Sequence, residues 1–109
     1  MKRYVITRNE ISGTHYWKDA PAEVSYLKNP HRHNFIIICE FTVQDSDREI
    51  EIILQQDDIE SYISKKYGKP ADFNGMSCEM IAEDILVNFE KCHSCIILED
   101  GYGGARVMR

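Results

Sequence analysis

The run HRHNFIIICEF at residues 31–41 decides the fold, because so many consecutive β-branched and aromatic residues indicate a buried strand. Successive side chains of a strand point to opposite faces, so His31 and His33 lie on the same face. Apolar residues occupy both faces in the first half of this strand, so we expect that half to be buried on both sides. We predict this strand over residues 32–44.

A third histidine, His15, ends an earlier strand-like pattern over residues 4–15. If the two strands pair antiparallel, the imidazoles of His15, His31 and His33 converge on one point. Three neutral imidazoles with an open fourth position are typical of a catalytic zinc site rather than a structural one. Two alternatives stay open, because a His-x-His pair can simply be a polar part of the surface, and a triad can form a metal-free, hydrogen-bonded pocket.

The periodicity of the remaining chain predicts a single α+β domain over residues 1–109. The predicted elements are strands at 4–15, 32–44, 48–54, 94–99 and 105–108, and helices at 56–67 and 78–90. The order β-β-β-α-α-β-β places two helices on one face of an antiparallel sheet. Such a sheet leaves edge strands and one of its faces uncovered.

The strand at residues 48–54 is predicted from alternation, since Ile50, Ile52 and Leu54 alternate with Glu49 and Glu51. The preceding cluster Asp45-Ser46-Asp47 is typical of a turn. Together they predict a hairpin between this strand and the strand at 32–44.

Composition excludes several classes of protein. The net charge of −5 argues against nonspecific nucleic-acid binding, and no apolar run approaches the ~20 residues that cross a bilayer. No signal peptide precedes the first strand-like pattern, so we expect a cytoplasmic location. The four cysteines are then expected to be reduced thiols. Cys92 and Cys95 have C-x-x-C spacing, but no second pair accompanies them.

Four segments carry motifs that occur together in one known family. They are ISGTH at 11–15, PHRHNF at 30–35, MSCEMIA at 76–82, and a hairpin made of IILE at 96–99 and GARV at 104–107. In this order, and over nearly the whole chain, they resemble the 6-pyruvoyl-tetrahydropterin synthase and 6-carboxy-tetrahydropterin synthase family. The resemblance is to its Phe-Ser-Ala-x-His segment, its His-Gly-His segment, the start of its second helix and its last hairpin.

The resemblance implies a T-fold whose subunits join into a homo-oligomeric barrel. It implies Zn²⁺ bound by His15, His31 and His33, and a pterin or purine-like small molecule whose ring is fixed by the carboxylate of Glu99. Asp100 would take the role of Glu99 if the strand register differed by one residue, because such a slip exchanges the two faces.

Aromatic residues in the loop between His15 and His31 are further candidates for ligand contacts. Tyr16, Trp17 and Tyr26 could stack on a planar heterocycle, or they could form a small satellite core. Trp17 and Tyr26 are therefore predicted, together with Glu99, to contact the bound molecule.

Departures from the family leave more than one function open. Residues 25–30 lack the family's nucleophilic cysteine, and residues 67–75 lack the histidine of its Asp-His pair. The sequence therefore identifies no catalytic residue. The candidates for a general base are Tyr26, His93, Asp72 and Asp58. One predicted function is that of a zinc-dependent, tetrahydropterin-synthase-like lyase acting on a dihydropterin triphosphate. The alternative is a non-catalytic protein that binds or sequesters a pterin, purine or nucleotide. A third possibility is a structural or regulatory oligomer with a relict pocket.

Overall fold

Two long strands form the centre of the molecule, β1 (Arg3–His15) and β2 (His31–Val43). They pair antiparallel along their whole length, from Arg3 opposite Val43 to His15 opposite His31. The structure is a computed structural model that describes residues 1–109. Both strands were predicted to within a residue, and their antiparallel pairing is confirmed.

The other elements complete an α+β fold with a mixed sheet. They are α1 (Ile52–Tyr67), β3 (Ala71–Asp72), α2 (Cys78–Asn88), β4 (Cys92–Glu99), β5 (Gly103–Met108), and a 3₁₀ helix at Ala22–Lys28. The strand order is β3-β1-β2-β4-β5. Strand β3 runs parallel to β1, beside Gly13 and Thr14, so the prediction of a purely antiparallel sheet is wrong at this edge.

The predicted strand at 48–54 is wrong, because its second half is the first turn of α1. The Glu51 side chain accepts hydrogen bonds from the backbone N–H groups of Ile53 and Leu54, and this cap satisfies two N–H groups that have no partner within the helix. Two of the three apolar residues that suggested a strand, Ile52 and Leu54, are 49% and 63% exposed, so the three do not form a buried face. The predicted hairpin with β2 is therefore absent.

The core lies between one face of the sheet and the two α-helices. The sheet contributes Phe35 and Ile37 from β2, and the helices contribute Ile59 from α1 and Ile81 from α2, all of them fully buried. Buried positions of β1 and β2 are mostly odd-numbered, as the two-residue period requires. Both helices thus pack on the same face, as predicted.

A partly buried carboxylate joins the two helices. Asp84 on α2 accepts hydrogen bonds from the Tyr62 and Tyr67 hydroxyls, both at 2.8 Å, and from Lys66 Nζ at 2.6 Å. Burial alone would raise the pKa of Asp84, but these hydrogen bonds outweigh it and lower the pKa. The network fixes α2 against α1 and so positions the first turn of α2.

The opposite face of the sheet is uncovered and mixes apolar with charged side chains. Ile6 is 57% exposed there, whereas Ile36 is shielded by its neighbours and only 4% exposed. Arg32 lies on this face, where its Nε atom donates to Ser12 Oγ at 3.1 Å. None of the helices combines the length and the apolar composition needed to span a bilayer.

Candidate metal centre

Three histidines meet where the end of β1 lies beside the start of β2. The register sets His15 opposite His31 and Gly13 opposite His33, with all three side chains on the face that carries the helices. One ring nitrogen of each histidine lies within 4.8 Å of those of the other two. The ring centroids are 4.6 Å (His15–His31), 4.9 Å (His31–His33) and 5.2 Å (His15–His33) apart. The structure therefore brings all the predicted metal ligands together.

Backbone carbonyl oxygens orient two of the imidazoles. His15 Nδ1 is 2.9 Å from the carbonyl oxygen of Met76, and His31 Nδ1 is 2.9 Å from that of Asn29. A carbonyl oxygen can only accept a hydrogen bond, so each Nδ1 atom donates and carries the ring proton. In the neutral rings the Nε2 lone pairs are then free, as in metal-binding histidines whose other nitrogen is held by an outer oxygen.

A carboxylate orients the third imidazole. His33 Nδ1 donates to Asp100 Oδ2 at 2.7 Å, and the other oxygen of Asp100 accepts from the backbone N–H of Asn34 at 2.8 Å. These two hydrogen bonds, the one from Asn34 foremost, lower the pKa of the Asp100 carboxyl. Asp100 thus holds His33 in place, and the register supports Glu99 rather than Asp100 on the site's face.

The burial of the site fits a metal ion. His15 Nε2 and His33 Nε2 are buried and have no hydrogen-bond partner, which is costly for polar atoms unless something else binds them. Burial is the main cause of the lowered pKa of His15, and a lowered pKa keeps this ring neutral. Neutral imidazole nitrogens that lie this close together are the donors that zinc takes from histidine. His15, His31 and His33 could therefore hold a divalent cation.

Glu99 enters the same site from the end of β4. Its Oε2 atom is 2.9 Å from His15 Nε2 and 3.7 Å from His33 Nε2. The closer approach does not have hydrogen-bond geometry, since His15 Nε2 has no hydrogen-bond partner. Cys78, at the start of α2, donates its thiol to the same oxygen at 3.7 Å. Burial and the charge of Glu99 raise the pKa of Cys78 to about 12, so the thiol stays protonated at neutral pH.

A cavity of about 430 Å³ opens beside the histidines. His15 and His31 lie at one side of it, and Glu99 and Trp17 also line it. Tyr26 does not line this cavity, because it projects from the 3₁₀ helix with 69% of its surface exposed. Two of the three residues predicted to contact the ligand, Trp17 and Glu99, thus line the cavity.

The other chemically interesting residues lie elsewhere. His93 is the second residue of β4, at the end of that strand away from the site, and packs against Tyr4 with ring centroids 4.9 Å apart. Cys92 and Cys95 are buried free thiols within β4. A second cavity, of about 440 Å³, includes Arg32 and contains none of the histidines. None of these places a further catalytic group beside the metal ligands.

Sequence reasoning missed the groups that support the histidines. The carbonyl oxygens of Met76 and Asn29 have no sequence signal, since every residue carries a carbonyl group. Cys78 gave only the signal of a residue on the apolar stripe of a helix. Asp100 directly follows the strand that ends in Glu99, so its position near the site was predictable from the sequence. Its hydrogen bond with His33 was not.

No family model matches the chain, and no curated protein matches its sequence.

Proposed function

We propose that this chain is a zinc-binding, tetrahydropterin-synthase-like protein that binds a pterin or purine-like small molecule beside the metal. The observation that carries the proposal is the shared wall between cavity and metal site, because His15 and His31 belong to both. A molecule held in the cavity would lie against the ion. The cavity volume of about 430 Å³ lies within the ~300–1,000 Å³ typical of small-molecule sites.

The lining of the cavity favours a planar, uncharged heterocycle. Trp17 offers an aromatic face for stacking, and Glu99 offers carboxylate oxygens to ring N–H donors, as the resemblance implies. No lysine or arginine lines the cavity. A phosphate group would therefore find no cationic side chain there, which supports binding of a base-like ring over binding of a triphosphate.

Non-catalytic binding or sequestering is the function that these residues support best. Bound zinc would supply Lewis-acid polarisation of a ligand oxygen. Turnover also requires a group that moves a proton, and Cys78, which lies beside Glu99, is a protonated thiol with its pKa raised to about 12. The second candidate function is a lyase acting on a dihydropterin triphosphate. One observation favours it: the Cys78 thiol contacts the Glu99 carboxylate, and that carboxylate lies beside the His15 imidazole of the metal site.

A homo-oligomer of the T-fold type belongs to the same proposal. Its support is the uncovered face of the sheet, where Ile6 is 57% exposed, together with the outer edge of β5 and the part of β1 that the two-residue strand β3 leaves unpaired. A cytoplasmic location stays a prediction from the sequence.

Native mass spectrometry of protein purified without chelator tests this function. We expect several copies of the chain per particle, one zinc ion per chain, and a co-purified small molecule whose released mass corresponds to a pterin or purine. Particles without metal or ligand, in a chain whose stability does not respond to chelator, would instead indicate a structural relic.

An activity assay then separates the two candidate functions. Zinc-loaded protein is incubated with dihydroneopterin triphosphate, and products are followed by chromatography. A binding protein leaves the compound unchanged. Product formation that disappears in the His31→Ala variant would establish the lyase.

A further inference from the structure

The outer edge of β1 is open just before β3 begins. Strand β3 pairs with β1 only at Gly13 and Thr14, so the preceding residues of β1 have no strand beside them on this edge. The even-numbered residues of β1 direct their backbone groups outward here, as the hydrogen bond from Phe73 N to Thr14 O at 2.9 Å shows. The backbone N–H groups of Glu10 and Ser12 are therefore unpaired donors at an open sheet edge.

A cavity of about 440 Å³ lies at this open edge, between β1 and α1. Its apolar part includes the buried residues Ile11 of β1 and Ile63 of α1. Three residues with hydroxyl groups also line it, namely Ser12, Thr14 and Ser64. The volume lies within the ~300–1,000 Å³ typical of small-molecule sites. The cavity therefore combines an apolar floor with several hydrogen-bond donors.

Arg32 supplies a positive charge to this cavity. It belongs to β2, where it lies opposite Thr14, and its Nε atom donates to Ser12 Oγ at 3.1 Å. The guanidinium thus reaches across β1 to the cavity at the outer edge. Arg32 forms no ion pair, so its Nη atoms are free to bind an anion. A planar guanidinium fork matches the oxygens of a phosphate group.

The other charged side chains that line the cavity are already paired. Glu10 lies 3.1 Å from Arg8, and Glu60 lies 3.2 Å from Lys69 Nζ. Lys69 is the second cation of the lining, and its side chain is 76% exposed. An ion pair in that position is weak, so Lys69 can turn to an anion at little cost. Because both glutamates have cationic partners, Arg32 leaves the cavity with an excess of positive charge.

We propose that this cavity binds a phosphate group through the guanidinium of Arg32 and the ammonium group of Lys69. The hydroxyl groups of Thr14 and Ser64 and the backbone N–H of Ser12 supply further donors. A phosphate group carries more acceptor oxygens than a carboxylate and so uses more of these donors. The inference goes beyond the proposed function, since no residue lines both this cavity and the one beside the histidines. It uses only the end of the β1 edge beside β3 and leaves the rest for contacts between subunits.

Isothermal titration calorimetry with inorganic phosphate, at physiological ionic strength, tests the site. We expect Arg32→Gln to weaken phosphate binding by about 10- to 100-fold, as loss of hydrogen bonds to a charged group does. Arg106→Gln is the matched control, because Arg106 is an exposed arginine of β5 that does not line the cavity. It should change phosphate binding by less than about twofold, since salt screens charges that lie far from the ligand.

A second variant keeps the test independent of the sheet. Ser64→Ala removes a hydroxyl group from α1 and should weaken phosphate binding by about two- to tenfold, as loss of one uncharged hydrogen bond does. It replaces Arg32→Gln if circular dichroism shows that the latter does not fold. Titration of the wild type with a phosphate monoester of a small sugar then distinguishes two sources of the group. Tighter binding of the monoester supports a phosphorylated organic ligand, and tighter binding of inorganic phosphate supports the free ion.

The outcomes separate this inference from the proposed function. A wild-type chain that binds neither phosphate nor the monoester overturns the site, and so does equal binding by the wild type and Arg32→Gln. Equal weakening by Arg32→Gln and Arg106→Gln would indicate a general charge effect and also overturn it. Phosphate binding that disappears with chelator would assign the phosphate to the metal ion instead. Phosphate binding by a chain that holds no zinc supports this site while contradicting the metal centre.

Discussion

Replacing His31 with alanine should lower the affinity of the protein for zinc by more than about 100-fold, because loss of a direct ligand costs more than the ~10- to 100-fold of an outer-shell partner. His31 is the most informative of the three ligands to remove. It is only partly buried and its Nδ1 atom bonds a nearby loop carbonyl, that of Asn29, so its loss should disturb folding little.

The fourth histidine provides the control for this experiment. His93→Ala removes an imidazole from the far end of β4, where it packs against Tyr4. We expect His93→Ala to bind zinc as tightly as wild type in the same chelator competition. Equal affinities of His31→Ala and His93→Ala would exclude His31 as a ligand.

Replacing Gly104 with alanine should destabilise the protein by about 3 kcal/mol or more, at the upper end of the cost of overpacking. An added Cβ atom would overlap the carbonyl oxygen of Ile97 and lie 2.7 Å from its carbonyl carbon. Both atoms belong to the backbone of the neighbouring strand β4, so no side chain can rotate to make room. The strands β4 and β5 would have to separate, and Glu99 ends β4.

Gly103 is a matched control for this substitution. It is the neighbouring residue of the same strand, and an added Cβ atom there meets nothing within 4 Å. Gly103→Ala should therefore change stability by less than about 0.5 kcal/mol, as exposed substitutions usually do. Urea denaturation at one fixed protein concentration measures both variants. Equal midpoints for the two variants would contradict the close approach of β5 to β4.

The strands and the site were predictable where two sequence signals agreed. The apolar run of β2 fixed its face, and the two-residue period then put His31 and His33 on that face. Antiparallel pairing with β1 brought His15 to the same end, as the register opposite His31 shows. The three histidines could thus be located without knowledge of any other contact.

Other elements depended on contacts that local patterns do not contain. The alternation of Ile50, Ile52 and Leu54 favoured a strand, but the Glu51 side chain caps a helix there through backbone N–H groups. Alternation over so few residues does not outweigh such a cap. Strand β3 is only two residues long and has no periodicity of its own, so its pairing with β1 comes from tertiary structure alone.

The supporting shell of the metal site was unpredictable for a related reason. Met76 contributes only its backbone carbonyl to His15, and the two residues are 61 positions apart in the chain. No property of the Met76 side chain takes part in that contact. Glu99, in contrast, was predicted at the site, and the structure places its carboxylate beside the imidazoles of His15 and His33.

Zinc K-edge X-ray absorption of the zinc-loaded protein tests most directly whether the imidazoles of His15, His31 and His33 share one ion. We expect nitrogen and oxygen scatterers at about 2.0–2.2 Å, with the outer-shell signal of three imidazole rings. Sulfur scatterers at about 2.3 Å, fewer than three imidazoles, or a chain that does not retain zinc would contradict the account.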